Sequence, residues 1–349
     1  MNDIAPSKPK TVLVTGGTGF VGTYVCRLVA AQGRTAIAAG IEPFSPEGLF
    51  VLGASAPSIR FVRVDVLDLP GLETLYRTQK PDAIVHAAGL LGHDNSLKNP
   101  AQTYAVNVGG TVNVLEAARR CGVAKVLYIS SNAAYHKKER DAFDETHPTT
   151  SLYSGNPNAH YGASKMAAEQ VALAYHTFHG IDAVVIRITS VYGFAMQPGQ
   201  MQLKQIVEGA VDGEHVMIAS GGRVVRDYTY VEDAAEGIVD ILDFDTRVLP
   251  QRVYNIARGE LTSTFDIADA TRTAVPDARI EVADQMTEFE TATLRQRAPL
   301  DSARATAVFG YKSRYPLRAG INAYAEMYAA FTAKTLRSAE KLSPDASIA

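Results

Sequence analysis

Tryptophan is absent from the chain, and cysteine occurs only at Cys26 and Cys121 among 349 residues. Each cysteine falls inside a helical pattern, which leaves no disulfide framework and no metal site to build; reduced, packed thiols in a cytoplasmic protein are expected. Long apolar runs are missing too: none reaches the ~18–20 residues that a membrane span requires. Met1–Lys10 is polar, carries Pro6 and Pro9, and lacks the apolar centre of a secretory leader. Charge of one sign is equally scarce. Lys and Arg total 34 against 37 Asp and Glu, a formal net of −3, so neither nucleic acid nor an anionic membrane is an expected partner. The one conspicuous basic run, Lys137, Lys138 and Arg140, reads as a solvated loop. Repeats and low-complexity segments are not visible. With 46% apolar and 20% charged residues, the rest is ordinary globular composition, long enough for a large domain plus a smaller lobe.

What the chain does have is rhythm. Strand-like runs at Thr11–Thr15, Thr35–Ala39, Ile59–Val64, Ala83–Ala87, Lys125–Ser130 and Ala183–Ile188 alternate with helical patterns such as Phe20–Gln32, Ala101–Cys121 and Ala159–Phe178. Short β-branched runs separated by helices imply βαβ units, and strands this apolar must be buried on both faces. The expected fold is therefore α/β: a doubly wound parallel sheet with its ligand crevice beyond the carboxyl ends of the strands. After Gly193 the rhythm breaks. Phe194–Arg223 and Thr273–Tyr315 are expected to be less regular, with Val253–Ala257 as one further strand. The division predicted is a nucleotide-binding domain over 10–189 and 225–271, a discontinuous substrate-binding lobe over 190–224 and 272–334, and a frayed tail over 335–349.

Thr15-Gly16-Gly17-Thr18-Gly19-Phe20-Val21-Gly22 follows the first strand and opens a helix. Gly16 permits a tight turn, Gly19 lets backbone approach a pyrophosphate, and Gly22 lets the helix pack closely on the sheet. Free N–H groups at the helix start then face the anion. Strand, loop and helix together make this a Rossmann dinucleotide fingerprint. The usual ribose carboxylate has no clear counterpart, because gap-free counting lands on Gly40. Glu42 either reaches back or stays a solvated loop acid. Gly40 leaves room for a 2′-phosphate, but no Arg or Lys stands near it in sequence. NAD is the expected cofactor, with NADP as the alternative.

Tyr161 and Lys165 stand four apart in a helical pattern and so share a face. A phenol of pKa ~10 is a poor base at neutral pH. A neighbouring ammonium, with the positive charge of an oxidised nicotinamide, favours the phenolate, which then takes a hydroxyl proton as hydride leaves the same carbon. Ser131, at the end of the fifth strand beside Ser130, can steer the substrate oxygen toward Tyr161. Asn107 falls inside a long helix where Asn is a poor choice. It either supports the lysine or a water, or is a buried amide satisfied locally.

These features occur in an order that resembles an extended short-chain dehydrogenase/reductase of the NAD-dependent epimerase/dehydratase family, from about Lys10 to Tyr328. The matches are the glycine loop, Asp65-Val66, His86-Ala87-Ala88-Gly89, Ser96…Pro100…Asn107 and Ser131 four before Tyr135. Tyr161…Lys165, Arg187…Tyr192-Gly193, Arg226-Asp227-Tyr228-Thr229-Tyr230-Val231-Glu232-Asp233 and Tyr254-Asn255-Ile256 complete them. The resemblance implies that Asp65 and Val66 contact adenine. It also implies that Gly16, Thr18, Gly19, Phe20, Val21, Gly22, Ala87, Ala88, Gly89, Asn107, Ser130 and Val191 line the cofactor, with Tyr161, and that Lys165 bonds the nicotinamide ribose. A homodimer through the helices at Ala101–Cys121 and Ala159–Phe178 follows from the same likeness.

Within that family, sugar-nucleotide 4,6-dehydratases carry an Asp-Glu pair after the catalytic Ser or Thr; here Asn132 and Ala133 stand there. Related decarboxylases keep a Glu at the position of Ala133, and 3,5-epimerising relatives a Cys. Without a second acid or base, hydride transfer at a secondary alcohol remains. Arg226 matches the arginine that grips a nucleotide diphosphate, or else pairs with Asp227 or Asp233. Ser190 stands where an Asn usually contacts the sugar nucleotide, and His136 replaces the Gly that usually follows Tyr135. His93 is an isolated loop histidine. The expected substrate is a sugar or sugar nucleotide, bound by Ser131, Ser190 and Arg226, and epimerisation through a transient ketone is the leading reaction. Net dehydrogenation of a sugar, sugar acid or other small hydroxy compound is the alternative, and a cofactor-binding sensor without turnover is the non-enzymatic one.

Overall fold

In chain order the strands are β1 (Thr11–Thr15), β2 (Thr35–Gly40), β3 (Ile59–Arg63), β4 (Ala83–His86), β5 (Lys125–Ser131) and β6 (Asp182–Ile188). There follow β7 (Ser190–Tyr192), β8 (His215–Ile218), β9 (Val225–Tyr230), β10 (Val253–Ile256), β11 (Leu261–Ser263) and β12 (Arg279–Val282). They come from a computed structural model that describes residues 8–135, 138–149, 159–197, 202–294 and 297–342. Seven strands form one wholly parallel sheet in the order β10-β6-β5-β4-β1-β2-β3. The order reverses between β1 and β4, and there a crevice opens beyond the carboxyl ends. This is the doubly wound Rossmann architecture that the alternating pattern predicts.

Both sheet faces are covered, as such apolar strands require. Val12 and Val14 of β1 join Tyr24, Val25 and Val29 of the Phe20–Ala31 helix on one side. Leu13, between them, faces the other way and joins Leu72, Leu115 and Ala168. Left-handed glycines stop the covering helices: Gly122 (φ 74°) ends the Gly110–Cys121 helix, and Gly180 (φ 71°) follows the Ala159–His179 helix. Cys26 is buried and Cys121 half-buried, both as free thiols, and burial pushes the Cys26 thiol up to about 12.

Three elements depart from the sequence reading. The single helix expected over Ala101–Cys121 is broken into Pro100–Tyr104, a π-helical turn Ala105–Gly109, and Gly110–Cys121. Asn107 lies in the widened turn, a place where helices often carry function. The segments expected to be irregular contain the Gln202–Val211 and Ala303–Phe309 helices and a parallel pair, β8 and β12, that joins residues from both of them. A three-stranded sheet, β11-β9-β7, lies between and beside these segments in sequence. Finally, the Leu317–Leu342 helix runs past Thr335, where a tail was expected. Between Gly320 and Pro344 its Ala-, Lys- and Glu-rich sequence holds no residue that stops a helix. Among the described residues, no helix is long and apolar enough to cross a membrane, and no group of three or more His, Cys, Asp or Glu is placed to hold a metal.

His86 closes β4 and is buried between two threonines, with Nδ1 2.7 Å from Thr15 Oγ1 and Nε2 3.0 Å from Thr111 Oγ1. Burial, with the Lys165 charge second, holds its pKa down to about 3. The unfolded chain takes up this proton below about pH 6.5 while the native state does not, so stability falls as pH drops from about 6.5 toward 3, by up to about 1.4 kcal/mol per unit. His86→Gln, which keeps a polar link between the threonines, should flatten the fall of Tm between about pH 6.5 and 4 relative to the parent chain. Parallel Tm–pH curves for the two proteins would contradict this.

Candidate active site

The glycine loop crosses the carboxyl end of β1. Gly16 has φ 67°, and a Cβ there would stand 2.7 Å from the Ala88 backbone nitrogen, so the loop abuts the Ala87–Ala88 turn after β4. Gly22 packs on the loop itself, since its Cβ would meet Gly16 O at 2.1 Å. Gly17, not Gly22, makes the close approach to the sheet: its Cβ would lie 2.7 Å from Ala38 Cα on β2. Phe20 and Val21 then begin a helix with no side-chain cap at Gly19 and no acidic residue in its first turn. Those uncapped N–H groups and the positive helix end form a ready anion site. This fits a dinucleotide pyrophosphate.

At the ribose end of such a ligand Gly40 stands in place of the usual carboxylate, and a Cβ there would meet the Thr18 hydroxyl at 2.8 Å, a side-chain atom that can turn aside. Glu42 turns away and its carboxylate lies 3.4 Å from Arg63 Nη2. Asp65 is exposed and accepts from Leu67 N at 2.9 Å, while Val66 is buried against Gly110.

Ser131 ends β5, and Tyr161 and Lys165 lie on the Ala159–His179 helix packed beside it. The Ser131 hydroxyl faces the Tyr161 phenol. Lys165 Nζ is buried, donates to the Ile129 carbonyl at 2.6 Å and lies 4.7 Å from the centre of the Tyr128 ring. Asn107 is the locally satisfied amide of the two alternatives: it exchanges hydrogen bonds with the Leu90 backbone at 2.7 and 3.1 Å and donates to Ser164 Oγ at 2.9 Å. It thereby pins the Gly89–Leu90 turn to the helix that bears Tyr161. Gly89 sits in the angle, where a Cβ would come within 3.0 Å of Asn107 Oδ1 and 3.9 Å of Lys165 Nζ.

Of the two charges expected to favour the phenolate, the ammonium contributes little by itself. Burial pushes the Tyr161 phenol up to about 12, with the Ser131 side chain a smaller opposing influence. Burial also lowers Lys165 to about 8, against the Glu169 carboxylate that holds it up. The lysine is thus already neutral over the range where the phenol would ionise. Protein groups alone leave Tyr161 neutral at pH 7.

Behind these residues lies a pair that the sequence reading missed. Glu169 receives Arg187 Nη2 at 2.6 Å and Ser130 Oγ at 2.5 Å, all buried. Ser130 therefore directs its hydroxyl to Glu169. Lys165-x-x-x-Glu169, one further helical turn on the same face, was the available signal.

Pairing in register puts Ser190 of β7 beside Tyr228 of β9, and Arg226, two residues earlier on β9, shares their face; Val191 faces the other way and is buried. The ion pairs considered for Arg226 do not form. Asp227 instead accepts from Leu300 N, and burial raises its pKa to about 6; Asp233 takes the Ser313 hydroxyl and the Arg314 and Tyr315 N–H groups. Near Arg226 lies Arg297, a residue the sequence reading also missed, which donates to the carbonyl of Val225, the residue before Arg226, at 2.9 Å. Burial, and then the Arg226 charge, lowers Arg297 to about 9. Among the described residues no carboxylate pairs with either guanidinium. Two apposed cations of this kind are a receptor for a polyanion. His136 and the His93 side chain lie outside the described residues. Of the basic run, Lys138 and Arg140 pair with Asp141 and Asp144, and Lys137 lies outside the described residues.

Residues 12–257 match the NAD dependent epimerase/dehydratase family. A dTDP-glucose 4,6-dehydratase of Streptomyces antibioticus is 30% identical over 318 residues, 89% of this chain and 90% of that protein. A putative UDP-glucose 4-epimerase of Methanocaldococcus jannaschii is 26% identical over 314 residues, 89% of this chain and 95% of that protein. Among solved structures, the Thermus thermophilus UDP-glucose 4-epimerase complex with NAD is similar over 91% of this chain and 98% of its own, with TM-score 0.76 and 26% identity. With its glycine loop, its Ser131 at a strand end beside Tyr161 and Lys165 on the neighbouring helix, and these matches over most of its length, the chain belongs to the NAD-dependent epimerase/dehydratase family.

Proposed function

We propose that the chain is an NAD-dependent enzyme that moves a hydride at a secondary alcohol of a sugar nucleotide and epimerises that carbon through a transient ketone. The observation that carries this reading is the combination of Ser131 and Tyr161 with two carboxylate-free guanidiniums, Arg226 and Arg297. Ser131 holds the substrate oxygen. Tyr161 takes its proton as the hydride leaves the same carbon, and returns it when the hydride comes back. When bound, NAD supplies the hydride acceptor and a positive charge beside the phenol. Lys165 holds the nicotinamide ribose, and Arg226 and Arg297 grip the diphosphate. Ser190 lies on the Arg226 face of the small sheet and contacts the sugar.

Asn132 and Ala133 form a short turn after Ser131, in which Ala133 N donates to the Ser131 hydroxyl at 3.1 Å. Neither side chain can protonate a leaving group or remove a carbon-bound proton. Elimination of water therefore lacks its acid and base, although several similar proteins are named dehydratases. Net dehydrogenation is the second reading, favoured only by Ser190 standing in place of the usual asparagine. The lobe over 190–224 and 272–334 is the substrate-binding part. A homodimer through the Pro100–Cys121 and Ala159–His179 region fits the exposed Leu97, Tyr104, Val112 and Phe178, and the two free thiols suit a reducing cytoplasm.

Tyr161→Phe should keep NAD binding and lose ~10²–10⁴-fold in turnover, because only the ionisable oxygen is removed; activity within about twofold of the parent would sink this role for Tyr161. Arg226→Met or Arg297→Met should raise KM for a sugar nucleotide by about tenfold or more with kcat little changed, as expected for uniform binding groups. A fall in kcat at constant KM would remove them from the diphosphate site. For the reaction itself, the isolated protein should carry bound NAD and interconvert epimers with no net change at the reduced-nicotinamide band. Stoichiometric NADH with no epimer formed would establish the dehydrogenase instead.

A further inference from the structure

We propose that Arg63, held in reserve by Glu42, recognises a phosphate on the 2′ oxygen of the adenosine ribose, so that this chain accepts NADP as well as NAD. The inference rests on the glycine loop being a dinucleotide site. It concerns a corner of that site that a sequence window around Gly40 does not contain.

Gly40 and Arg63 are the last residues of β2 and β3 and pair directly in the parallel register. Residues paired in this way project to the same face of the sheet. The direction a Cβ would take from Gly40 is marked by Thr18 Oγ1 at 2.8 Å, which is the side that carries the glycine loop. Arg63 therefore leaves β3 toward the loop side, next to the strand end where a ribose-binding carboxylate would otherwise stand. That carboxylate is absent, because the residue at position 40 is glycine. Discrimination against a 2′-phosphate by a fixed negative charge is absent at position 40.

The acid that does stand nearby is engaged elsewhere. Glu42 holds Arg63 at 3.4 Å, and the two side chains are 72% and 65% exposed. A long, solvated contact of this kind is readily exchanged. A 2′-phosphate offers more charge and three acceptor oxygens, and a guanidinium fork suits it better than it suits one distant carboxylate oxygen. Neighbouring groups do not compete for Arg63. Arg60, on the same strand, is turned to Gln79, and Asp65 accepts from the Leu67 N–H. Glu42 is then the opposing element: with NAD it neutralises Arg63, and with NADP it must release it.

The test is calorimetric titration of NAD and of NADP, separately, into the full chain freed of bound nucleotide. It uses the parent, Arg63→Ala and Glu42→Gln. The parent should bind both, with NADP within about tenfold of NAD. Arg63→Ala should weaken NADP about tenfold, leave NAD within about twofold, and reduce the salt dependence of NADP binding. Glu42→Gln should tighten NADP about threefold, the size of an exposed ion pair. Retained NAD binding shows in each case that the variant folds. A parent that binds NAD and not NADP, or an Arg63→Ala that leaves NADP affinity unchanged, overturns the proposal. A parent that binds neither dinucleotide overturns the reading of the glycine loop instead.

Discussion

Glu169 and Arg187 meet in the buried interior, where each charge is matched by the other. Their side chains are 0% and 4% exposed, and Arg187 reaches both carboxylate oxygens through Nε and Nη2. Removing one partner of such a pair costs about 3–5 kcal/mol, because the other is left as an unsatisfied buried charge. The consequence is geometric more than energetic. Glu169 is on the helix that carries Tyr161 and Lys165, and it also accepts from Ser130, the neighbour of Ser131. Arg187 lies over the Tyr135 ring at 4.5 Å, Tyr135 donates to Asn255, and Asn255 in turn donates to the Phe143 and Asp301 carbonyls. One ion pair thus links the proton-transfer helix, the strand ends and the segment leading to Arg297. Phenol and serine are set by elements that cannot shift independently.

The same burial that makes this frame rigid raises the barrier to its chemistry. A phenol near 12 beside a lysine near 8 is not a base at neutral pH. Lys165 holds its place through the Ile129 carbonyl and the Tyr128 ring, and Glu169 keeps its pKa from falling further, yet its charge does not reach the range in which Tyr161 ionises. Whatever lowers Tyr161 must arrive with a ligand, as a positive charge next to the phenol. In the proposed reaction, proton transfer is then coupled to the oxidised cofactor by electrostatics, and the protein alone does not hold a standing phenolate.

Much of this was legible in the sequence, because periodicity and glycine placement are local signals. The order of β1 to β6, the burial on both faces and the positions of Ser131, Tyr161 and Lys165 follow from short windows of residues. What escaped depends on partners distant along the chain. Gly17 packing on Ala38, the Thr18 hydroxyl lying beside Gly40, and Arg63 meeting Glu42 all require β2 and β3 to be laid beside the loop. The π turn at Ala105–Gly109 escaped for a related reason. The Asn107 side chain is satisfied by Leu90 and Ser164, which no helical periodicity could reveal. Arg297 lies in a stretch without regular spacing, and only its apposition to Arg226 gives it meaning.

The arginines of the site therefore divide by what the fold itself does with their charge. Arg187 is committed to the frame: its Nε and Nη2 meet the Glu169 carboxylate and its guanidinium lies over the Tyr135 ring, which leaves only the buried Nη1 without a hydrogen-bond acceptor. Arg226 and Arg297 are the opposite case. Folding brings two cations together, buries one of them enough to lower it to about 9, and provides no carboxylate to either among the described residues. Apposed like charges oppose folding, and the arrangement becomes favourable only when a polyanion lies between them. Arg63 falls between these limits, with one distant acid that water already contests. Charge that the folded chain leaves uncompensated marks where ligand charge belongs. By that measure the proposed diphosphate site is the more strongly committed, and the ribose corner the one left adjustable.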